Sequence, residues 1–415
     1  MKSKFYFLIL CSIGVACSVK KSSIEQTSEI KILSSPSKST SGEPFLFTDK
    51  DSTVYLSWIE TSADKTILKF SSLQNNQWSE PMIIATGNTW FVNWADYPMI
   101  ATNGKQFVAH FLDKSGEGTY AYDVKLTTSG DSGNKWTEPQ VLHDDGKKVE
   151  HGFVTLLPYG ENFFVTWLDG RNTEMEGMKE MKGMDHHDGH HARLPDGQGA
   201  MSLRAAVIDA KGNKIKEWEL DNKTCDCCQT SAAITTNGPV VVYRDRSDKE
   251  IRDMSIVRFI DGQWSEPQTI HNDNWKIAGC PVNGPRVAWE NNNLAVAWFS
   301  AATDTSQVNV IFSTDGGATF GRPIRVDEGT AIGRVDIVMI DDKSVMVSWM
   351  EGTIIKVAKV HSDGVKEPSI IIASSSESRS SGFPQMTKSG NQLIFAWRDD
   401  NEKNIKVASI TLQEK

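Results

Sequence analysis

Short apolar runs that end in a large aromatic residue recur along this chain at a pitch of about 50 residues. Each run is preceded by another short apolar run and followed by an alternating one, and several units then close with Trp-Ser/Thr-Glu-Pro, at Trp78, Trp136 and Trp264, so we assign four strands to each repeat. The runs lie at 54–58, 107–111, 164–167, 240–243, 294–298, 345–349 and 393–397. Seven such units predict an all-β chain folded as a β-propeller with seven four-stranded blades.

The two ends of the chain carry complementary parts of one blade. The last unit, 382–412, offers three strands, and segment 29–33 offers one strand without a partner. Pairing these segments removes an open sheet edge that would otherwise promote aggregation. We therefore expect the propeller to be closed by its N-terminal strand.

An eight-residue motif occurs twice. It reads Ser-Gly-Asp-Ser-Gly-Asn-Lys-Trp at 129–136 and Ser-Thr-Asp-Gly-Gly-Ala-Thr-Phe at 313–320. In both copies the Asp side chain caps a tight turn, and a glycine supplies a backbone conformation closed to larger residues. The motif resembles the Asp-box of the bacterial neuraminidase repeat (BNR), found in the sialidase superfamily of β-propellers. The resemblance implies six blades as the alternative count, and it places Asp131 and Asp315 on turns opposite the ligand-binding face.

The resemblance also implies a set of catalytic residues. Enzymes of the superfamily hold a substrate carboxylate with three arginines, use a Tyr/Glu pair as nucleophile and use an aspartic acid as acid/base. The candidates are Arg244, Arg334 and Arg398 for the arginines, Tyr243 for the nucleophile and Asp96 for the acid. The chain departs from the family at its Phe/Tyr-Arg-Ile-Pro motif, because the first arginine of the chain is Arg171.

The N-terminus is a processing segment. Lys2 and Lys4 precede the apolar run 5–16, and the residues before Cys17 resemble a bacterial lipoprotein cleavage site. We expect a signal peptide at 1–16, a lipidated tether at 17–28 that is acylated on Cys17, and the propeller at 29–415. The protein is then extracytoplasmic and held to a membrane, on the periplasmic side or at the outer-membrane surface. Simple secretion and a retained anchor are the alternatives.

The charge of the chain bears on its partners. A net charge of -9 and a pI of about 5.6 provide no basic surface for nucleic acid, so that partner class is not expected. The charge does not decide whether the propeller face binds a metal ion, a glycan or another small ligand.

Four cysteines remain after the N-terminal segment. Cys225, Cys227 and Cys228 lie within four residues, and Cys280 follows later. In an oxidising compartment, one or two disulfides are the simple interpretation. Because the adjacent Cys227 and Cys228 pair poorly with each other, soft-metal ligation is the other.

A long insertion at 171–200 holds further soft ligands. Thioether and imidazole groups together suit copper, and imidazole also suits zinc. The candidates are Met175, Met178, Met181, Met184, His186, His187, His190 and His191. Propeller geometry places the insertion over His151 and the cysteines of the next blade, so we expect these groups to be neighbours.

Three functions follow from these patterns. The first is an extracytoplasmic lipoprotein that binds a soft metal, copper before zinc, on the top face of its propeller. The second is a glycoside hydrolase of the exo-α-sialidase type. The third is a propeller that binds a glycan or a protein and catalyses no reaction. The sequence leaves open whether the protein is an enzyme.

Overall fold

The computed structural model describes residues 29–38, 40–173, 199–303 and 305–412. These residues form seven antiparallel sheets and one 3₁₀ turn at Arg379–Ser381. The architecture is a seven-bladed β-propeller, which confirms the predicted all-β fold and the count of seven blades rather than six. Within the described ranges, no helix has the length and apolar character needed to cross a membrane.

The strands follow the chain blade by blade, except that the first strand, β1 (Ile30–Leu33), belongs to the last blade. Blade 1 contains β2 (Ser41–Thr48), β3 (Val54–Thr61), β4 (Thr66–Gln74), β5 (Gln77–Trp78) and β6 (Met82–Gly87). Blade 2 contains β7 (Ile100–Thr102), β8 (Phe107–Lys114), β9 (Tyr122–Ser129) and β10 (Gln140–Val141). Blade 3 contains β11 (His151–Tyr159), β12 (Asn162–Asp169), β13 (Ser202–Ile208) and β14 (Lys214–Asp221).

The second half of the propeller repeats this order. Blade 4 contains β15 (Ser231–Thr235), β16 (Gly238–Arg244), β17 (Met254–Ile260), β18 (Gln263–Trp264) and β19 (Gln268–His271). Blade 5 contains β20 (Arg286–Glu290), β21 (Asn293–Ser300), β22 (Gln307–Ser313) and β23 (Ile324–Arg325). Blade 6 contains β24 (Ala331–Asp341), β25 (Ser344–Glu351), β26 (Ile354–His361) and β27 (Ile370–Ser374). Blade 7 contains β28 (Gln385–Ser389), β29 (Gln392–Asp399), β30 (Asn404–Thr411) and β1.

The ring closes by pairing the two ends of the chain. Strand β1 runs antiparallel to β30, with Leu33 opposite Val407. Leu33 is buried in a core cluster shared by blades 7 and 1, whereas Ile32 is 66% exposed. The N-terminal strand therefore completes blade 7, as the sequence predicts.

The second strand of each blade is buried on both faces, because each blade packs between two neighbours. These strands therefore read as apolar runs instead of alternating ones. Trp58, Trp167 and Trp349 at their ends are at most 1% exposed. Each indole N–H donates to the carboxylate two residues farther on, at 2.9 to 3.0 Å. The same tryptophan thus fills the core and fixes an acidic side chain at the strand end.

Both copies of the eight-residue motif form the same turn, between the third and fourth strands of blades 2 and 5. The hydroxyl of Ser129 donates to Asp131 at 2.9 Å and accepts the N–H of Gly133 at 3.0 Å. Asp131 also accepts the N–H of Lys135 at 2.8 Å. The second copy repeats these contacts with Ser313, Asp315, Gly317 and Thr319. The motif is architectural, as expected.

Candidate functional site

The four described cysteines lie on the top face, where first strands begin and second strands end. Three of them belong to the loop that leads into β15, and Cys280 belongs to the loop that leads into β20. The N–H of Cys225 donates to the carbonyl of Arg244 at the end of β16. The N–H of Thr224 donates to the carbonyl of Met201 in blade 3. These contacts hold the cysteine loop against two neighbouring blades.

The side chains of Cys225, Cys227 and Cys228 converge, and we call these three residues the thiol cluster. Their Sγ atoms lie within 4.8 Å of one another, and those of Cys225 and Cys228 are 3.5 Å apart. The three residues are 1%, 8% and 2% exposed. Cys280 is half-buried and interacts with the thiol of Cys227, and the four described cysteines are not joined by disulfides. Sulfur atoms about 2.3 Å from one metal ion are about 3.8 to 4.0 Å apart, so this spacing suits a single ion.

Two arginines set the charge of the thiol cluster. Arg252 Nη1 donates to the Sγ of Cys225 at 3.2 Å, and Arg244 adds a second positive charge nearby. Burial acts to raise the pKa of Cys225, but hydrogen bonds from the other two thiols and the arginine charges outweigh it. The pKa of Cys225 is therefore held well below its ordinary value.

The other two thiols keep their protons. Burial, followed by contact with the Cys225 thiolate, raises the pKa values of Cys227 and Cys228. Of the three thiols, Cys225 is thus the one that most readily forms the thiolate that ligates a metal. The two neighbouring thiols would release protons when a metal binds.

His151 lies in a different cluster. Its ring stacks on that of His143, with centroids 3.5 Å apart, and its nearest carboxylates are those of Asp145 and Asp169. His151 thus groups with these side chains, and its place near the cysteines stays a prediction. As the first residue of β11, it turns its ring toward blade 2, where the carbonyl of Tyr122 lies 3.2 Å from its Nδ1.

The three arginines of the catalytic hypothesis are held by different acceptors. All three guanidinium nitrogens of Arg244 donate to backbone carbonyls, at 2.7 to 3.2 Å. Arg334 donates to the carbonyls of residues 376–378 and to the hydroxyl of Ser381. Arg398 donates to the carbonyl of Ser380 at 2.6 Å and lies beside Glu43. Backbone carbonyls of the loops thus accept hydrogen bonds from guanidinium N–H groups that would otherwise bind a substrate carboxylate.

Tyr243 and Asp96, the other two catalytic candidates, are buried. The hydroxyl of Tyr243 donates to Asp221 at 2.5 Å, and burial together with that carboxylate raises the pKa of the tyrosine. Asp96 accepts the N–H of Phe153 at 2.7 Å. Burial raises the pKa of Asp96 to about 7, against the opposing effect of hydrogen bonds from the backbone. A carboxyl group that is protonated near neutral pH can act as a general acid.

Several candidates of the sequence analysis fall outside the described residues and stay predictions. They are Cys17, Met175, Met178, Met181, Met184, His186, His187, His190 and His191.

Sequence reasoning missed two residues that shape these clusters. Arg252 lies in a charge-rich turn between β16 and β17, where no motif in the sequence singles it out. His143 lies in the loop before β11, where there is no strand periodicity. The available signal was the succession His-Asp-Asp at 143–145, in which Asp145 binds the histidine two residues before it.

Comparisons with known proteins find similarity in fold. No protein-family model and no curated protein match the chain. A solved structure of a protein of unknown function from Dyadobacter fermentans has 13% identity and a TM-score of 0.51, covering 80% of this chain and 98% of its own. The NanB sialidase of Streptococcus pneumoniae has 9% identity and a TM-score of 0.45, covering 92% and 94%. The GH93 α-L-arabinofuranosidase of Fusarium graminearum has 11% identity and a TM-score of 0.48, covering 93% and 97%. The structural neighbours thus include sialidases and GH93 propeller enzymes, and what this chain shares with them is the propeller architecture.

Proposed function

We propose that the chain is an extracytoplasmic lipoprotein, anchored through Cys17, whose propeller binds one copper ion as Cu(I) in the thiol cluster. The observation that carries the proposal is the convergence of three buried sulfur atoms within 4.8 Å of one another, beside Arg252.

The choice of Cu(I) rests on softness and charge. Thiolates are soft ligands that favour Cu(I) over harder divalent ions. Three thiolates around a monovalent ion leave two negative charges, which the nearby Arg252 and Arg244 offset. Zinc would need a fourth ligand to complete a tetrahedron. Among the described residues, Cys280 interacts with Cys227 and could supply this ligand, but it is half-buried.

The attachment of the insertion supports a role in supplying the ion. The insertion leaves blade 3 after β12 and returns at Met201, whose carbonyl accepts the N–H of Thr224, the residue before Cys225. The described residue that follows the insertion thus lies beside the loop of the thiol cluster, and the proposal places the methionines and histidines of the insertion near the thiols. We infer that they capture copper at the cell envelope and pass it to the buried thiols.

The test is an anaerobic titration of Cu(I) against a chromogenic Cu(I) chelator, on protein purified without a histidine tag. We expect one equivalent to be withheld from the chelator. Cys225→Ser and Cys228→Ser should each weaken binding by about 100-fold or more, because they remove a ligand. Cys280→Ser is the matched control and should cost only about 10-fold, the lower end of what a residue outside the first coordination shell costs. Unchanged binding in Cys228→Ser, or zinc bound by the cysteines in place of copper, would overturn the proposal.

A second candidate function, glycoside hydrolysis, is favoured by one set of contacts. The hydroxyl of Tyr122 donates to Glu150 at 2.7 Å, and Asp96 is close enough to help raise the pKa of that tyrosine, after burial and Glu150. This is a Tyr/Glu pair beside a protonated acid. Release of the fluorophore from a fluorogenic sialoside, abolished in Asp96→Asn, would establish this function. No release by the unaltered protein would reject it.

A further inference from the structure

A second group of metal-ligating side chains lies between blades 2 and 3. We call it the histidine–aspartate cluster, and its members are Asp123, His143, Asp145, His151 and Asp169. The ligand atoms of two overlapping trios, each of which includes His151, lie within 4.8 Å of one another. The side chains of His143, Asp145, His151 and Asp169 are at most 6% exposed. The cluster therefore offers buried nitrogen and oxygen atoms that could act as metal ligands.

Every atom that faces a nitrogen of His151 is an acceptor. Nδ1 lies 3.2 Å from the carbonyl oxygens of Tyr122 and Val149. Nε2 lies 3.2 Å from Oδ2 of Asp145 and 3.7 Å from Oδ1 of Asp169. The carbonyls require a proton on Nδ1, which leaves Nε2 as the nitrogen that can exchange its proton for a metal ion.

The spacing at Nε2 matches a coordination sphere. Ligand atoms that each lie about 2.1 Å from a tetrahedral zinc ion are about 3.4 Å apart. The two separations from His151 Nε2, 3.2 and 3.7 Å, bracket this value. This spacing suits an ion between the three side chains, although Asp169 also accepts hydrogen bonds from Arg171 and Trp167, which the ion would share or displace.

His143 holds one of the proposed ligands in place. Its Nδ1 contacts Oδ1 of Asp145 at 2.6 Å, which leaves Oδ2 facing His151. Its Nε2 is buried without a hydrogen-bond partner and points at Asp123, 3.5 Å away. A buried polar atom without a partner is costly. Because the two rings are inclined by only 6°, they cannot both direct a lone pair at one ion, so His143 is a positioning residue.

The charges of the cluster leave room for a cation. Arg171 donates to both carboxylate oxygens of Asp169, at 2.8 Å each. Lys125 lies 3.8 Å from Asp123, and Asp145 is paired with the two histidines instead. The three carboxylates of the cluster therefore outnumber the lysine and the arginine beside them.

We propose that the histidine–aspartate cluster binds one divalent transition-metal ion of borderline hardness, such as Zn²⁺, through His151 Nε2, Asp145 and Asp169. Nitrogen and oxygen donors suit such an ion, whereas the thiol cluster suits a soft monovalent one. The two centres are chemically distinct, and this site does not depend on the copper proposal. The ion would fasten the loop before β11 to the end of β12, where the insertion departs.

The test uses Zn²⁺ alone, in calorimetric titration of protein whose four insertion histidines, His186, His187, His190 and His191, are replaced by alanine. His151→Gln and Asp145→Asn should each lose about one equivalent of bound zinc, whereas Cys228→Ser should keep it. His361→Gln is the matched control, because its ring pairs with Glu367 on an outer hairpin. Retention of that equivalent in Asp145→Asn would overturn the proposal.

A second measurement covers the case in which a buried substitution prevents folding. Crystals of the unaltered protein grown with Zn²⁺ should show an anomalous-scattering peak about 2.1 Å from His151 Nε2. A zinc peak at the cysteines alone would reject the site.

Discussion

Arg252 Nη1 lies 3.2 Å from the Sγ of Cys225. The arginine comes from the turn between β16 and β17, and the cysteine from the loop before β15, so blade 4 supplies both the thiolate and its counter-charge. Arg252 also donates to Glu250 at 2.9 Å, which fixes the guanidinium in place. The fold itself therefore places a positive charge beside the Cys225 thiol, independently of metal binding.

Arg252→Gln should raise the pKa of Cys225 by about one unit or more, because the positive charge that favours the thiolate is removed. The pH dependence of alkylation by iodoacetamide measures this shift. Arg246→Gln is a suitable control, since Arg246 pairs with Asp226 and Glu250. An alkylation profile that stays the same in Arg252→Gln would show that the contact has no electrostatic effect.

Asp96→Asn should change how the stability of the protein depends on pH. Burial raises the pKa of Asp96 from 3.8 to about 7, so between these values the unfolded chain releases a proton that the native chain retains. Stability therefore falls as pH rises from about 4 to about 7, and the asparagine variant lacks this loss. At pH 8 the variant should be more stable than the parent by about 2 to 4 kcal/mol. Urea unfolding at pH 5 and pH 8 measures the difference, and equal pH dependence in both proteins would contradict the assignment.

Leu33→Ala should destabilise the propeller by about 2 to 3 kcal/mol, because it opens a cavity where the N-terminal strand closes the ring. Ile32→Ala is the matched control in the same strand, since Ile32 is 66% exposed, and it should cost less than about 0.5 kcal/mol. Urea unfolding compares the two. Equal, small effects would mean that closure through β1 contributes little to the free energy of unfolding.

Asp315→Ala should cost about 1 to 2 kcal/mol, because Asp315 accepts hydrogen bonds from Ser313 and from both the N–H and the hydroxyl of Thr319. Asp342→Ala, in the exposed turn between β24 and β25, should be nearly neutral. Thermal unfolding of both variants checks the comparison. A neutral Asp315→Ala would show that the turn does not need its cap.

The blades could be predicted because their signal is local and repeated. A second strand buried on both faces must be apolar throughout, and Trp58 and Trp349 recur at its end, each with a carboxylate two residues later. The closing strand was predictable for the same reason, since an unpaired edge is costly wherever it occurs. The clustering of the three cysteines was visible as proximity in the sequence.

The surroundings of the sites depend on geometry that no sequence period encodes. The pairing of β11 is irregular between Gly152 and Thr155, directly after His151, and Phe153 has a positive φ, and the sequence pattern shows neither feature. The contact of Arg252 with Cys225 depends on the path of a turn. Likewise, the backbone carbonyls that accept hydrogen bonds from Arg244 come from three separate segments, so the sequence could not reveal the structural role of this arginine.

The most direct test of the copper proposal is X-ray absorption at the copper edge, on protein loaded with one equivalent of Cu(I) under anaerobic conditions. We expect the first coordination shell of copper to contain three sulfur atoms in the unaltered protein and two in Cys225→Ser. A first shell of nitrogen and oxygen atoms, or a protein that retains no copper, would contradict it.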